Sequence, residues 1–384
     1  MPAWVRLSIG GAATLLVGMG LGRFSYTPLI PALIEEGWLT AAEAGSVAAF
    51  NLAGFLIGAL GALWLRRLMG EAALLRLCLW ITLACLVASI APAGAAWLVF
   101  WRCLAGIAMG VMMVHALAIV TRHAPPERLG AATGIVFTGV GIAILASGVL
   151  VPLLAGQGLI AAWSGLALFG ALGVGVALWG WRAADPAPQE PSLSRFRPSA
   201  AAFRLIAAQS LFGIGLVPHS IYWVDYLVRG LGESIAVGGF HWVLFGLGAM
   251  TGTFLWGRLA DAIGHRRGLV LVLASLAAGI ALPVVLPIGW VLILSSLVVG
   301  AQPGFSAIIS GRVQQVVGPD EMPPLWHAMI LTGGVAQAVA GYLLVALFEI
   351  AGSYVPIFLI GGAAMGTGAI LVINLKPGAS SGGA

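Results

Sequence analysis

Charged residues are scarce in this sequence, making up 8% of its 384 residues, against about 25% in an average soluble domain. Asp and Glu together number only 13, and lysine occurs once, at Lys376. A soluble domain of this length has more charge on its surface, so the composition excludes the ordinary water-soluble classes. The chain is 60% hydrophobic, which points to lipid as its solvent.

Cysteine is also rare, with Cys78, Cys85 and Cys103 all inside apolar segments. Three cysteines so placed provide neither a disulfide framework nor a metal-ligand pattern. The sequence also lacks the Gly-x-x-x-x-Gly-Lys-Ser/Thr phosphate loop, and its loops are too short for an ATPase domain. We therefore predict no cofactor and no metal. The net charge of +5 reflects basic residues in the loops on one side of the predicted membrane, so we expect no nucleic-acid partner.

Apolar stretches long enough to cross a bilayer occupy nearly the whole chain. A bilayer core of about 30 Å requires about 20 apolar residues per helix. The runs are continuous rather than alternating, which favours helices over a closed barrel. They fall at 8–30, 44–65, 74–92, 95–120, 130–155, 159–181, 203–228, 236–256, 269–286, 290–310, 325–348 and 354–373. The sequence predicts an all-α membrane protein with twelve transmembrane helices.

Basic residues lie almost entirely on one side of the predicted membrane. Fifteen of the 18 are in the terminal segments or in every second loop, at Arg6, Arg66, Arg67, Arg76, Arg122, Arg128, Arg182, Arg195, Arg197, Arg204, Arg258, Arg266, Arg267, Arg312 and Lys376. Arg229 is the one basic residue of the opposite loops, and Arg23 and Arg102 lie inside spans. The positive-inside rule then predicts that both termini are cytoplasmic.

The chain is built as two related halves. A shift of 194 residues aligns Gly54 and Gly58 with Gly248 and Gly252, and the same register continues through loops and spans. Paired six-helix halves are a recurring design of secondary transporters, which bind substrate between the halves near the midplane. We predict a six-helix bundle at 1–182, a cytoplasmic linker at 183–201, a second bundle at 202–375 and a flexible cytoplasmic tail at 376–384.

Glycine pairs four residues apart recur in the predicted spans. They begin at Gly54, Gly106, Gly130, Gly248 and Gly300. Such pairs clear one face of a helix for close backbone approach. The pairs predict tight helix packing. The same pattern is compatible with smooth helix faces that allow the helices to rock during transport.

The loop after the eighth span reads Gly257-Arg258-Leu259-Ala260-Asp261-Ala262-Ile263-Gly264-His265-Arg266-Arg267. It is similar to the cytoplasmic G-x-x-x-D-x-x-G-x-R-R motif of the major facilitator superfamily. In the fourth span, Arg102-x-x-x-Gly106-x-x-x-Gly110 resembles the superfamily's Arg-Gly pattern. The first span, from Gly20 to Pro31, looks like that of the bacterial YbfB/YjiJ-type permease branch. The resemblance covers essentially the whole chain and implies the major facilitator fold, two pseudo-symmetric six-helix bundles in the bacterial inner membrane.

Two regions depart from the superfamily's patterns. The first-half loop at 63–70 lacks the motif's Gly and Asp, so we expect a gating motif only in the second half, at Gly257, Asp261, Gly264, Arg266 and Arg267. The fifth span lacks the Gly-Pro pattern of proton-coupled drug antiporters. The cytoplasmic charges around Glu71 and Asp185 are expected to be solvated surface.

Arg23 is the leading candidate for a substrate contact. It lies about 12 Å deep in the first span, at about 1.5 Å per residue, and an ionisable group at mid-bilayer costs about 2.5–3.5 kcal/mol. A guanidinium binds carboxylate or phosphate with two parallel hydrogen bonds, and an internal pair with a carboxylate of another helix is the alternative. Tyr26 and Thr27 share its helix face. Tyr222 and Gln302 are further candidate contacts, although aromatic packing and interhelical bonding explain them equally well.

Proton coupling has three candidates. Asp225 is the one carboxylate well inside an apolar span, but Arg229, four residues later, could pair with it. His219 forms a polar and aromatic stripe with Tyr222 and Tyr226 of the same span; histidine suits proton relay, and aromatic core packing is the alternative. Arg102 is either structural or linked to proton movement.

The sequence predicts a secondary active transporter that moves a small metabolite, an organic anion, by alternating access. Proton coupling is left open, and we expect a monomer. One alternative is an efflux antiporter for drugs or lipophilic compounds. Alternatives from other classes are a regulatory membrane protein that transports nothing and a membrane-embedded enzyme, although the acids and histidines are scattered over different spans.

Replacement of Asp261 by asparagine should shift the balance between inward-facing and outward-facing states. A carboxylate at the N-terminus of a facing helix contributes about 0.3–1 kcal/mol, so its loss should change the ratio about two- to fivefold toward the inward-facing state. The measurement is the labelling of single introduced cysteines on the two sides of the membrane. Asp185→Asn, in the predicted linker, is the matched control. Unchanged labelling in Asp261→Asn would contradict the hypothesis that Asp261, with Arg266 and Arg267, acts as a latch that holds the cytoplasmic side closed in the outward-facing state.

Overall fold

The computed structural model describes residues 1–183, 199–317 and 321–375. Most of the predicted linker, including Asp185, and the predicted tail lie outside the described residues. Within them, eleven helices are long and apolar enough to cross a membrane, and a bent helix pair raises the number to twelve. The prediction of an all-α protein with twelve transmembrane helices is confirmed.

The twelve spans are numbered in chain order. They are α1 (Ala3–Glu35), α2 (Ala41–Met69), α3 (Glu71–Ala88), α4 (Ala95–His123), α5 (Leu129–Ala155), α6 (Leu159–Gly180), α7 (Ala200–Gly230), α8 (Ile235–Ile263), α9 (His265–Val285), α10 (Gly289–Gly300 with Pro303–Val317), α11 (Met322–Ala351) and α12 (Val355–Ile373). We call the membrane side that holds the start of α1 and the end of α12 the terminal side, and the other the distal side.

The 194-residue repeat is visible in the helix ends. The Thr40 hydroxyl caps α2, and Ser234, 194 residues later, caps α8. Gly70 and Gly264 both have positive φ, of 77° and 85°, where a helix ends on the terminal side. Only glycine adopts that backbone region without strain. Equivalent turns thus stand at equivalent places in the two halves.

In the described part of the chain, three spans depart from a continuous α-helix, among them α7, which has π-helical stretches at Pro218–Tyr222 and Tyr226–Gly230. The tenth, predicted as one helix over 290–310, bends by 45° between Gly300 and Pro303, because proline has no N–H and its ring displaces the preceding turn. In α1 the α-helix ends at Leu15 and gives way to a π-helical stretch, Leu16–Leu21, and a 3₁₀ stretch, Phe24–Leu29. Arg23 lies at the junction of these stretches, with φ −127° and ψ −64°.

Four of the predicted glycine pairs pack as expected. A methyl group at Gly54 or Gly58 of α2 would collide with a backbone carbonyl of α4, and one at Gly106 or Gly110 with a carbonyl of α2. The pairs in α8 and α10 repeat this arrangement in the second half. The pair beginning at Gly130 differs, since a methyl group there would meet nothing within 4 Å.

The two halves pack against each other through α5 and α8 and through α2 and α11, in both pairs along the distal part of the helices. A methyl group at Gly148 would lie 2.9 Å from the Gly239 carbonyl oxygen and 2.9 Å from the Val243 nitrogen, and one at Gly246 would lie 2.7 Å from the Leu145 nitrogen. Further toward the terminal side, Gly134 has open space beside it. The halves are therefore closed together distally and separated on the terminal side.

The same face of each helix continues past the contact. The helices α5 and α8 are antiparallel, and the observed pairs include Val243 with Gly148 and Met250 with Gly141. A step of seven residues forward in α8 and seven back in α5 therefore stays on the same face of each helix. That step from Met250 and Gly141 reaches Gly257 and Gly134, both beside open space. If α5 and α8 came together on the terminal side, these two glycines would face each other.

Gly148→Leu and Gly134→Leu should shift the equilibrium between the distally closed and the terminally closed conformation in opposite directions. Overpacking a tight contact costs about 1–3 kcal/mol, so Gly148→Leu should open the distal side, where the contact exists. Gly134→Leu meets no obstacle in the present conformation and should oppose closure of the terminal side. Cysteine labelling on each side measures both effects, and a shift of both variants in the same direction would contradict this helix register.

Candidate functional site

A small cavity lies at the break in α1, where the two halves meet. It is lined by α1, α2, α4 and α7, and its polar lining residues are Arg23, Tyr26, Thr27, Asn51, Arg102 and Ser220. Its volume is about 10 Å³, roughly what one water molecule requires. A metabolite would therefore have to widen this space on binding.

Asn51 and Arg102 satisfy the backbone at the break. The Asn51 amide Nδ2 donates to the carbonyl oxygens of Gly22 at 3.1 Å and Arg102 at 2.7 Å, and the Arg102 Nη2 donates to the Arg23 carbonyl at 3.1 Å. Broken helices within a membrane persist only where the freed backbone groups find such partners. These bonds fix the position of Arg23 relative to α2 and α4.

Two guanidinium groups face this cavity without a counter-ion. Arg23 is 9% exposed and Arg102 is 2% exposed, and among the described residues no carboxylate lies within 4 Å of either. Arg23 makes one long hydrogen bond, from Nη1 to the Gln337 Oε1 at 3.5 Å. The guanidinium carbons of Arg23 and Arg102 lie 5.0 Å from the ring centres of Phe24 and Tyr26, where cation–π attraction offsets only part of the charge.

Tyr26 and Thr27 lie beside Arg23, and both are occupied by backbone contacts. The Tyr26 hydroxyl donates to the Ala44 carbonyl at 3.1 Å, and the Thr27 hydroxyl donates to the Ser220 carbonyl of the second half at 2.5 Å. Their hydroxyl hydrogens thus hold α1 against α2 and α7. They line the cavity, and a substrate contact would use their oxygen lone pairs.

Tyr222 and Gln302 lie apart from the cavity. Tyr222 reaches across to the first half, where a methyl group at Gly45 would lie 3.1 Å from its hydroxyl, and no described residue bonds that hydroxyl. Gln302 lies at the bend of α10 and is partly buried. The sequence allowed a packing role for each of them, and the structure brings neither to Arg23.

Asp225 and His219 are also separate from the cavity. The carboxylate of Asp225 accepts hydrogen bonds from the Tyr354 hydroxyl at 2.6 Å and from the Arg229 Nη1 at 3.3 Å. The Nε2 of His219 lies 2.8 Å from the Ser295 hydroxyl, and its ring stacks on Trp223 at 4.4 Å. The ion pair with Arg229 that the sequence allowed is therefore present, and His219 lies inside the second half.

A protein-family model matches residues 15–373, and its description is "Uncharacterised MFS-type transporter YbfB". The chain belongs to this family. No protein in a search of curated sequences matches it. Its fold is similar to that of a D-xylose–proton symporter, with TM-score 0.74, 16% identity and 97% of each chain covered. It is also similar to a peptide transporter solved with sulfate, with TM-score 0.75, 16% identity and coverage of 98% of this chain and 96% of that one.

Membership of this family makes the chain a multi-pass membrane transporter of the secondary type. The predicted resemblance to the YbfB-type permeases is confirmed. Transporter families are not enzyme classes, so the membrane-embedded enzyme considered from the sequence has no support from this membership.

The predicted gating motif of this transporter lies on the terminal side, between α8 and α9. Asp261, Arg266 and Arg267 are exposed, and Asp261 has no hydrogen-bond or ion-pair partner among the described residues. Gly257 lies on the face of α8 that continues the contact with α5, and Gly264 makes the turn with φ 85°. The separation of the halves on this side leaves Asp261 without a facing helix.

Glu71 is mostly buried and paired, so the expectation from the sequence that it is solvated was wrong. We expected it to be solvated, but it is 11% exposed and pairs with Arg66 at 3.0 Å and Arg122 at 2.6 Å. The His115 Nδ1 is 3.7 Å from the same carboxylate. The arginines come from α2 and α4, far apart in the sequence, so their convergence on one acid could not be seen there. The first half thus has its own charged cluster on the terminal side.

Replacement of Asn51 by leucine should destabilise the transporter even without ligand. It removes the donors to the Gly22 and Arg102 carbonyls, and an unsatisfied buried acceptor costs about 1–3 kcal/mol. We expect a lower apparent melting temperature in detergent. The matched control is Asn374→Leu, an exposed position at the end of α12, which should leave it nearly unchanged. Equal melting temperatures for all three proteins would show that Asn51 does not secure the break.

Proposed function

We propose that this transporter moves a small organic anion by alternating access, with Arg23 as the principal substrate contact and Arg102 supporting it. The observation that carries the proposal is the pair of buried guanidiniums without a carboxylate partner. A buried charge is normally paired, because desolvation without compensation is costly. An anionic ligand between the halves would supply the missing charge.

The same observation counts against an efflux antiporter for lipophilic cations. Such a site needs an acid and an aromatic surface that face the ligand. Here the cavity contains two positive side chains, and Asp225 is already bonded to Tyr354 and Arg229. A cation in this cavity would be repelled by Arg23 and Arg102.

The orientation follows from the distribution of arginine. The terminal side contains almost all basic loop residues, so we assign it to the cytoplasm of a bacterial inner membrane. A conformation that is closed distally and separated on the terminal side is then inward-open. Closure of the terminal side would follow the α5–α8 register, which sets Asp261 beside Gly130, near the start of α5. This geometry supports Asp261, with Arg266 and Arg267, as the latch of the outward-facing state, since a carboxylate is stabilised at a helix N-terminus.

Proton coupling would use Asp225 rather than His219. Asp225 is bonded to Arg229 of its own helix and to Tyr354, which directly precedes α12, near the distal closure. Protonation of the carboxylate would weaken both bonds there, at the distal end of α7, whereas the His219 ring is enclosed by Ser295 and Trp223. One structural neighbour is described as a proton symporter, and this adds weight to coupling without identifying the residue.

Arg23→Gln should abolish the response to anions while leaving the fold intact. Glutamine keeps a polar side chain but removes the charge, so organic anions should no longer raise the melting temperature, and uptake into proteoliposomes should fall at least tenfold. Arg23→Lys keeps the charge without the planar donors and should be intermediate. Arg182→Gln, at an exposed position, is the matched control.

A purified protein that is stabilised by organic cations and by no organic anion would overturn this function. So would Arg23→Gln with normal anion uptake. The same proteoliposomes with an imposed proton gradient report coupling, because a symporter accumulates substrate above equilibrium only while the gradient lasts.

A further inference from the structure

Beyond its charges, the cavity contains one hydrogen-bond acceptor without a partner. The Asn51 Oδ1 is completely buried, and no described residue donates to it. Asn51 is 2% exposed and lines the cavity together with Arg23 and Arg102. An unsatisfied buried acceptor is unfavourable, so this atom marks a place for a ligand's donor group.

The orientation of the Asn51 amide is unambiguous. Its other terminal atom lies 3.1 Å from the Gly22 carbonyl oxygen and 2.7 Å from the Arg102 carbonyl oxygen. Two carbonyl acceptors require a donor between them, so that atom must be the nitrogen. The oxygen therefore faces the cavity, and a ligand can satisfy it only by donating a hydrogen bond.

The Arg102 Nε is a second unsatisfied group of the same cavity. It is buried, and no described residue accepts its hydrogen. Since the Asn51 amide bonds the backbone carbonyl of Arg102, the unpartnered acceptor and the unpartnered cationic donor belong to residues in direct contact. One compact ligand can thus present an anionic oxygen to the guanidiniums and a donor to Asn51.

The donor group should be a hydroxyl rather than an ammonium. An ammonium would bring a positive charge beside Arg23 and Arg102, and no acidic side chain lines the described cavity to offset it. A hydroxyl donates without adding charge. We propose, on the basis of the proposed anion transport, that the substrates are hydroxycarboxylates, and that Asn51 is the residue that distinguishes them from plain carboxylates and from amino acids.

Three sets of matched ligands test this assignment on the wild-type protein. The first set is lactate, propionate and alanine; the second is malate, succinate and aspartate; the third is mandelate, phenylacetate and phenylglycine. Each set keeps the carbon skeleton and changes only the hydroxyl, to hydrogen or to ammonium. Affinities come from thermal shift and from tryptophan fluorescence titration, with both stereoisomers of each chiral ligand.

In at least one set, the hydroxy acid should bind about tenfold more tightly than the plain acid, as expected for one hydrogen bond to a buried acceptor. The amino acid should bind most weakly. If plain acids bind as well as their hydroxy partners in every set, a water molecule satisfies Asn51 and the hydroxyl assignment is wrong, although the anion function survives. If no acid of any set binds, both proposals fail together.

Asn51→Ala adds a test that depends on the residue itself. The variant should lose the preference, so that hydroxy and plain acids of the same set bind within about twofold of each other. Asn374→Leu is the surface control and should keep the wild-type ratio. A tenfold preference that persists in Asn51→Ala would overturn the role of Asn51. If Asn51→Ala does not fold, the ligand sets on the wild-type protein still decide the proposal.

Discussion

A bilayer leaves no backbone polar group free to bond water, and this constraint explains the arrangement around Arg23. The α1 span changes from a π-helical to a 3₁₀ stretch at Gly22 and Arg23, which leaves the Gly22 carbonyl without a helical partner and the Arg23 carbonyl with one bond, from the Tyr26 N–H at 3.3 Å. Asn51 and Arg102 bond those carbonyls, and in doing so they bring α2 and α4 to the same point. The side chains that permit the break are also those that line the cavity. Stability of the break and recognition of a ligand therefore depend on one group of residues.

The two halves repeat their turns and helix caps but not their buried chemistry. The register of 194 residues puts Ser296 at the position of Arg102, and Phe245 at that of Asn51. Ser296 accepts a hydrogen bond from the Trp223 Nε1 at 3.1 Å and lies 2.9 Å from the His241 Nδ1, so it bonds neighbours inside the second half. The charged side of the cavity thus belongs to the first half, and the second half contributes the uncharged residues Ser220 and Ile221.

The sequence predicted the features that depend on local composition. Continuous apolar runs indicated all twelve spans, and an arginine deep in the first span stood out because charge is rare there. The bend in α10 also had a local signal, Pro303, which we interpreted as part of one helix. The interruption of α1 had only the scattered signals of Gly20, Gly22 and Pro28, since its apolar run does not stop. Asn51 and Glu71 could not be assigned, because each bonds a residue of α4 that lies 51 residues away in the chain.

The glycine faces of α5 and α8 have an energetic consequence. Because the same faces continue toward the terminal side, a rocking motion would exchange one glycine-lined contact, at Gly148 and Gly246, for another of similar composition, at Gly134 and Gly257. Similar amounts of backbone contact would be broken and formed, so the two arrangements should differ little in free energy. When two states differ little in free energy, small differential interactions are enough to shift the equilibrium between them. The charge of one bound ligand or the electrical potential across the membrane is such an interaction.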